Sequence, residues 1–324
     1  MNRMIRLPAL ILAIFAVLTV TTPRTLAQVD NPAPPATPVR LVFIHHSTGG
    51  NWLADGLGSY LMDNNYYVSA TNYGWGPNGI GDRTDIPNWP EWFTGPSSAA
   101  YLAALYAEGG QNLGGYGNWP RLAVAPAGEN QVILFKSCFP NSNLDGSPND
   151  PALAEPDGSL SVANAKAVYN KLLTYFITRP DKLFVVITAP PLRGLDTTTG
   201  QAANARAFNN WLVDRQNGWL KKYARANVAV FDFYNVLTSN GGSAAINDTG
   251  SAAGNHHRWY GGAEQHQQML DSNFLVYPSG DSHPSTAGNQ KAAAEFVPLL
   301  NVFYHRWQTS LEAMRSIYLP VVRK

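Results

Sequence analysis

"VRLVFIHHSTGG", residues 39–50, decides how the chain is read. Residues 41–44 are continuously apolar, the pattern of a strand covered on both faces and therefore of a parallel sheet. Two histidines, Ser47, Thr48, Gly49 and Gly50 follow directly. In an open parallel sheet, ligands sit beyond the carboxyl ends of the strands. Ser47 therefore falls where a strand ends, with Gly49 and Gly50 easing the turn into a helix that begins near Trp52. A hydroxyl at that place is accessible, and backbone N–H groups at a helix start favour developing negative charge. On this stretch alone, the simpler reading is that Ser47 or Thr48 caps the helix.

Working outward, four more β-rich runs follow: residues 66–74, the more polar one, 130–139, 182–190 and 227–237. Helical patterns lie between and after them, over residues 51–64, 159–178, 201–225 and 285–308, with a short Ala/Leu helix near 98–107. The alternation predicts one α/β domain of three layers. Two long insertions interrupt it. Residues 75–129 are rich in Trp, Pro and Gly, and residues 238–276 in Gly, Asn and His. Loops of this length in a compact domain usually form lids or walls of a site.

A second chemical stretch, "PSGDSHPSTAGNQK", places Asp281 and His283 just before the last helix. A serine nucleophile needs a base, and the base needs an orienting carboxylate. His283 suits the first role and Asp281 the second. At the end of the second strand, "TNYGWG" puts the unhindered N–H of Gly74 at the same sheet edge. At the end of the third, "KSCFPNSN" brings Asn141 or Asn143, either of which has a side-chain amide to offer. Together with the Ser47 N–H these would form an oxyanion hole, in which one donor is worth roughly 3 kcal/mol. Ordinary turn chemistry is the alternative for Gly74 and the asparagines.

Serine after the first strand, Gly after the second, Asn after the third and Asp/His before the final helix make an order that resembles the SGNH hydrolase superfamily, the GDSL-like esterases and lipases. The likeness runs over about residues 39–308. "FIHHSTGG" stands at the Gly-Asp-Ser block, "NYGWG" at Asn-x-Gly, "KSCFPNSN" at Gly-x-Asn-Asp and "DSHP" at Asp-x-x-His. Three departures are plain: His46 precedes the serine, one residue rather than two separates Asp281 from His283, and the third block lacks its string. The resemblance implies a flavodoxin-like three-layer α/β/α sandwich with a five-stranded parallel sheet. It also implies Ser47 as nucleophile, His283 as base, Asp281 as orienter, and Ser47, Gly74 and Asn141 as oxyanion donors. His46, Asn143 and Trp75 are expected to line the substrate pocket, with no cofactor and no metal. The expected activity is a secreted serine esterase acting on small acyl esters, with acetyl esters of carbohydrates favoured by aromatic, polar insertions. The rival expectation is a non-catalytic carbohydrate-binding or cell-surface protein on the same scaffold.

Other residues have competing readings. Zinc binding by His45, His46, His256, His257, His266 and His283 is disfavoured, because adjacent strand residues point to opposite faces and no H-E-x-x-H or C-x-x-C string occurs. One of His45 and His46 is expected beside Ser47 and the other beneath it; His256 and His257 read as loop residues or a substrate wall. Cys138, the single cysteine, has Lys136 nearby, but reads as a buried, inert thiol in an apolar strand. Asp232 reads as a cap or a structural hydrogen-bonding group, with partnership to the base as the alternative.

The 324 residues are 45% hydrophobic and 14% charged, with a formal net charge of +1. Without a basic stripe, neither nucleic acid nor an anionic membrane surface is an expected partner. Arg3 and Arg6 precede the apolar run "LPALILAIFAVLTV", and "TLA" precedes Gln28. That is the pattern of a secretory signal peptide over residues 1–27, with no membrane span left after processing. The Pro-rich stretch 28–38 reads as an extended tether, residues 39–310 as the domain, and 311–324 as a tail that either docks on the domain or serves as a surface-related tag.

Overall fold

The computed structural model describes residues 30–239, 253–269 and 272–318. The expected signal peptide lies outside the described residues, as do parts of the second insertion and the end of the tail.

All five apolar runs are strands of one parallel sheet: β1 (Val39–Ile44), β2 (Tyr66–Thr71), β3 (Val132–Phe135), β4 (Leu183–Ile187) and β5 (Val228–Phe231). Their spatial order is β2-β1-β3-β4-β5. This is a doubly wound order, in which the chain reverses direction between β1 and β3 and opens a crevice at their carboxyl ends. Alternate side chains of β1 feed two cores. Leu41 and Phe43 pack with Trp52, Leu57, Phe296 and Leu300; Val42 and Ile44 pack with Trp89, Phe135 and Val168. The period of two along a strand thus builds three layers from one sheet.

One face carries α1 (Thr48–Trp52), a π-turn over Leu53–Leu57 and α2 (Gly58–Asp63). The other carries α3 (Trp89–Phe93), α4 (Ser98–Ala107), α5 (Val162–Phe176) and α6 (Thr199–Val213). The first face is completed by α7 (Phe233–Val236) and α8 (Thr286–Tyr318).

Four boundaries differ from expectation. The first helix starts at Thr48, directly after the serine, so Gly49 and Gly50 lie inside it. The next, α6, stops at Val213 because the Asp214 side chain accepts the N–H groups of Gln216 and Asn217 and turns the chain. At the carboxyl end, α8 runs through the expected domain end at 310. Leu311, Glu312, Ala313 and Met314 favour helix, and Leu311 and Met314 pack on the core, so no tail begins there. The proline-rich residues before β1 are docked rather than hanging free. Asp30 pairs with Arg306 at 2.7 Å, and the Pro32 and Ala33 carbonyls accept from Asn301 and His305.

The second insertion holds an unexpected hairpin, β6 (His256–Tyr260) and β7 (Ala263–Gln267). Gly261 and Gly262, at φ 63° and 83°, make its two-residue turn. His256 and His257 are consequently strand residues with no exposure. Glu295 of α8 accepts from the His256 ring at 2.6 Å and from the His257 N–H at 2.9 Å, which fastens the hairpin to the domain.

Candidate active site

Ser47 carries the turn itself. Its φ of 45° and ψ of −103° lie in a region that costs a non-glycine residue about 1–3 kcal/mol. The His46 carbonyl accepts the Gly49 N–H at 3.1 Å and closes the turn. A serine on a tight strand-to-helix turn presents its hydroxyl clear of the sheet. The two glycines serve close packing instead. A Cβ on Gly49 would lie 2.4 Å from His45 Cβ, and one on Gly50 would lie 2.4 Å from the Tyr116 ring.

The Ser47 hydroxyl does not cap α1. It hydrogen-bonds His283 Nε2, 236 residues away in sequence. On the far side of the ring, His283 Nδ1 lies 2.8 Å from Asp281 Oδ1. The one-residue spacing works because that same oxygen also accepts the His283 backbone N–H at 2.8 Å, an Asx-type turn that folds the carboxylate under the ring. The His283 N–H, the ring and Arg193 hold the Asp281 carboxyl below its ordinary range, although its side chain is 59% exposed. Phe139, from the turn after β3, packs edge-on to His283 with centroids 4.9 Å apart.

Three sets of contacts fix the pair. The His283 loop is closed at its base by Ser285 N–H to Tyr277 carbonyl (2.6 Å) and Ser279 N–H to His283 carbonyl (2.9 Å). The loop after β4 grips it from outside: Arg193 reaches the Gly280 carbonyl at 2.6 Å, and Ser282 Oγ donates to Asp196 at 2.5 Å. Asp55, in the π-turn behind Ser47, accepts from Thr286 Oγ1 at 3.0 Å and Asn289 Nδ2 at 2.7 Å at the start of α8.

The expected oxyanion hole is not assembled as read. Gly74 donates its N–H to Asp82 Oδ1 at 2.8 Å, which commits the group that was expected to face substrate. Asn141 is 2% exposed; its Oδ1 accepts the Ile86 N–H at 2.7 Å and its Nδ2 donates to Asp85 at 2.5 Å, so the carboxamide staples Asp85 and Ile86 to the turn that follows β3. Asn143 differs: its Oδ1 is buried without a partner, and its amide nitrogen has no protein acceptor among the described residues. The Ser47 N–H likewise donates to no protein acceptor among the described residues.

Trp75 does not line the pocket. Its indole donates to Glu108 at 2.6 Å and stacks on Trp92 at 5.8 Å, inside the wall. His46 is nearly buried, bonded to Thr84 Oγ1 and packed 4.7 Å from Tyr73, so it backs the crevice rather than facing it. Beneath the turn, His45 is fully buried against Phe43, and burial followed by the Lys136 charge keeps its pKa well down. Asp232 caps α7 through the Asn235 N–H (3.0 Å) and pairs with His266 at 2.8 Å, leaving Asp281 as the partner of His283. Among the described residues, no three His, Cys, Asp or Glu side chains are placed to hold a metal ion.

Sequence reasoning passed over Tyr73 and Tyr116 at the crevice, Asp55 behind it, and the polar surroundings of Cys138. Lys136 alone gave a signal, as a charge at the end of an otherwise apolar strand.

No family model and no curated protein matches the chain. A solved crystal structure aligns over 85% of this chain and 97% of its own length at 15% identity, with a TM-score of 0.34, a likeness too slight to carry an argument.

Proposed function

We propose that this chain is an exported serine esterase of the SGNH type, acting on small acyl esters, with acetyl groups on a carbohydrate as the favoured substrate. The observation that carries the reading is the hydrogen-bonded series Ser47 Oγ, His283 Nε2, His283 Nδ1, Asp281 Oδ1. His283 takes the Ser47 proton as Oγ attacks the ester carbonyl, and Asp281 holds the ring with its Nδ1–H turned away from the serine. The tetrahedral oxyanion is received by the Ser47 N–H and, in place of Asn141, the uncommitted amide of Asn143. His283 then protonates the leaving alcohol, and water, activated by the same base, releases the acid from Ser47.

The test is covalent labelling by a fluorophosphonate together with hydrolysis of p-nitrophenyl acetate. Labelling at Ser47, and loss of both signals in Ser47→Ala, is the expected result. Equal hydrolysis by wild type and Ser47→Ala overturns the reading. The commitment of Gly74 and Asn141 to loop contacts favours a second reading, a carbohydrate-binding protein that keeps the scaffold without the chemistry. That protein would bind sugar and leave the probe untouched.

A further inference from the structure

Directly behind Ser47 lies a buried polar cluster that the hydrolytic steps do not use. Lys136 is 1% exposed and Cys138 is 3% exposed. The Lys136 ammonium donates to Thr48 Oγ1 and, at 3.1 Å, to the Ser137 carbonyl, and no carboxylate pairs with it among the described residues. Thr48 Oγ1 lies 3.4 Å from Cys138 Sγ. The Thr48 backbone N–H and the His46 ring also favour the charged form of the sulfur. Donor counting favours the thiolate. With Lys136 donating to the Thr48 oxygen, the Thr48 hydroxyl proton is left to point at the sulfur 3.4 Å away. An S–H pointing back at Oγ1 would leave the buried hydroxyl proton without an acceptor, an arrangement that costs about 1–3 kcal/mol.

We infer that Lys136 and Cys138 form a buried ammonium–thiolate pair bridged by the Thr48 hydroxyl, and that this pair positions Ser47 in its strained turn. Thr48 is held through its hydroxyl between Lys136 and Cys138, and a strained residue persists only where its neighbours over-determine it. The pair turns an apolar-looking cysteine into part of the site's support: burial holds as the sequence suggests, but the surroundings are not apolar. The titratable groups facing the pair are His45 and His46 from the end of β1 and Tyr73 from beyond β2. Burial alone would raise the thiol, but the His46 and Thr48 hydrogen bonds and the Lys136 charge bring it down to about 6. Burial brings Lys136 down to about 8, so both members are charged together near neutrality.

The positioning half of this inference rests on the proposed hydrolysis; the charge state does not, and the two are tested separately. Thiolate ultraviolet absorbance, taken as wild type minus Cys138→Ser, is expected at neutral pH and is expected to disappear on acidification through about 6. Lys136→Met or, should that variant fail to fold, Thr48→Val is expected to move the titration upward. Absence of the signal at neutral pH overturns the pair. In hydrolysis of p-nitrophenyl acetate, Cys138→Ser is expected to lower kcat/KM about tenfold to a hundredfold through Ser47 misplacement and to remove the thiolate from the acid limb of the pH profile. An unchanged rate and profile in Cys138→Ser, with the thiolate present in wild type, overturns the positioning role. Failure of the esterase reading is recognised separately, by wild type matching Ser47→Ala.

Discussion

Removing the Asp55 carboxylate tests how two halves of the site, far apart in sequence, are kept in register. Asp55 sits in the π-turn that follows α1, and its two oxygens bind Thr286 and Asn289 at the head of α8, three and six residues past His283. The same junction is tied by the Trp52 indole, which donates to the Asn289 carbonyl at 3.0 Å. A hydrogen bond to a charged acceptor contributes about 1.5–3 kcal/mol. Asp55 is only half-buried, so the two bonds together are discounted for solvent screening to about 2 kcal/mol. Asp55→Ala also leaves the amide of Asn289, a residue with no exposure, with only the Pro284 carbonyl at 3.5 Å as acceptor. The expected loss is therefore about 2 kcal/mol in urea unfolding. The larger effect is on rate, because a displacement of about 1 Å between nucleophile and base costs about a hundredfold. kcat/KM for p-nitrophenyl acetate, measured where the variant is fully folded, is expected to fall by about that factor, with KM little changed. Asp55→Asn, which keeps one acceptor oxygen, is expected to recover part of both. If Asp55→Ala is destabilised yet hydrolyses ester within about twofold of wild type, the clamp does not couple the two segments and the reasoning is refuted.

The two asparagines after β3 are expected to separate. Asn143→Ala lowers kcat by about a hundredfold or more with little change in melting temperature, whereas Asn141→Ala first loosens the 82–88 segment and is seen in thermal unfolding. Equal rate losses in the two, without a stability difference, would contradict the assignment of the free amide. Ser47→Gly is expected to be inactive yet no less stable than Ser47→Ala, and more stable by about 1 kcal/mol, since glycine adopts φ 45° without penalty; calorimetry decides this. For Glu264, burial alone would raise the carboxyl, but bonds from His257 and Arg306 hold it at about 2 against an ordinary 4.5. Its folded value is depressed, so its contribution is complete above 4.5 and is lost as pH falls towards about 2. Denaturation midpoints of wild type are expected to fall through that window, and those of Glu264→Gln to fall less.

The parallel sheet was legible because strands buried on both faces read as near-continuous apolar runs, a pattern clear in β1, β3, β4 and β5 and weaker in β2, where Ser69 and Thr71 are buried. The pairing of Ser47 with His283 was read from the need of a serine nucleophile for a base, and the doubly wound order, which brings strand ends and the entry of the last helix to one rim, is why the two meet. The hairpin over residues 256–267 was equally readable from its Gly-Gly turn. It was passed over because His256, His257, Arg258 and Gln265 look like loop residues unless Glu295 and the head of α7 are known to receive them. The end of α8 was misplaced because residues 311–324 were read as a tail, while Leu311, Glu312, Ala313 and Met314 already satisfy a helix.

The oxyanion donors failed on different grounds. Gly74 and Asn141 are the right residue types at the right strand ends, and sequence can say no more than that. Whether an N–H or an amide is free depends on partners brought up by the chain, here the Asp82 carboxylate for Gly74 and, for Asn141, the Ile86 N–H and the Asp85 carboxylate, 55 and 56 residues away. Availability of a donor is a tertiary property, and position within a motif does not encode it. The Asp281–His283 pair is the opposite case, since both of its hydrogen bonds span two residues and one oxygen receives both donors. A one-residue spacing therefore still delivers the carboxylate to the ring, because the backbone N–H of the histidine itself does the aiming.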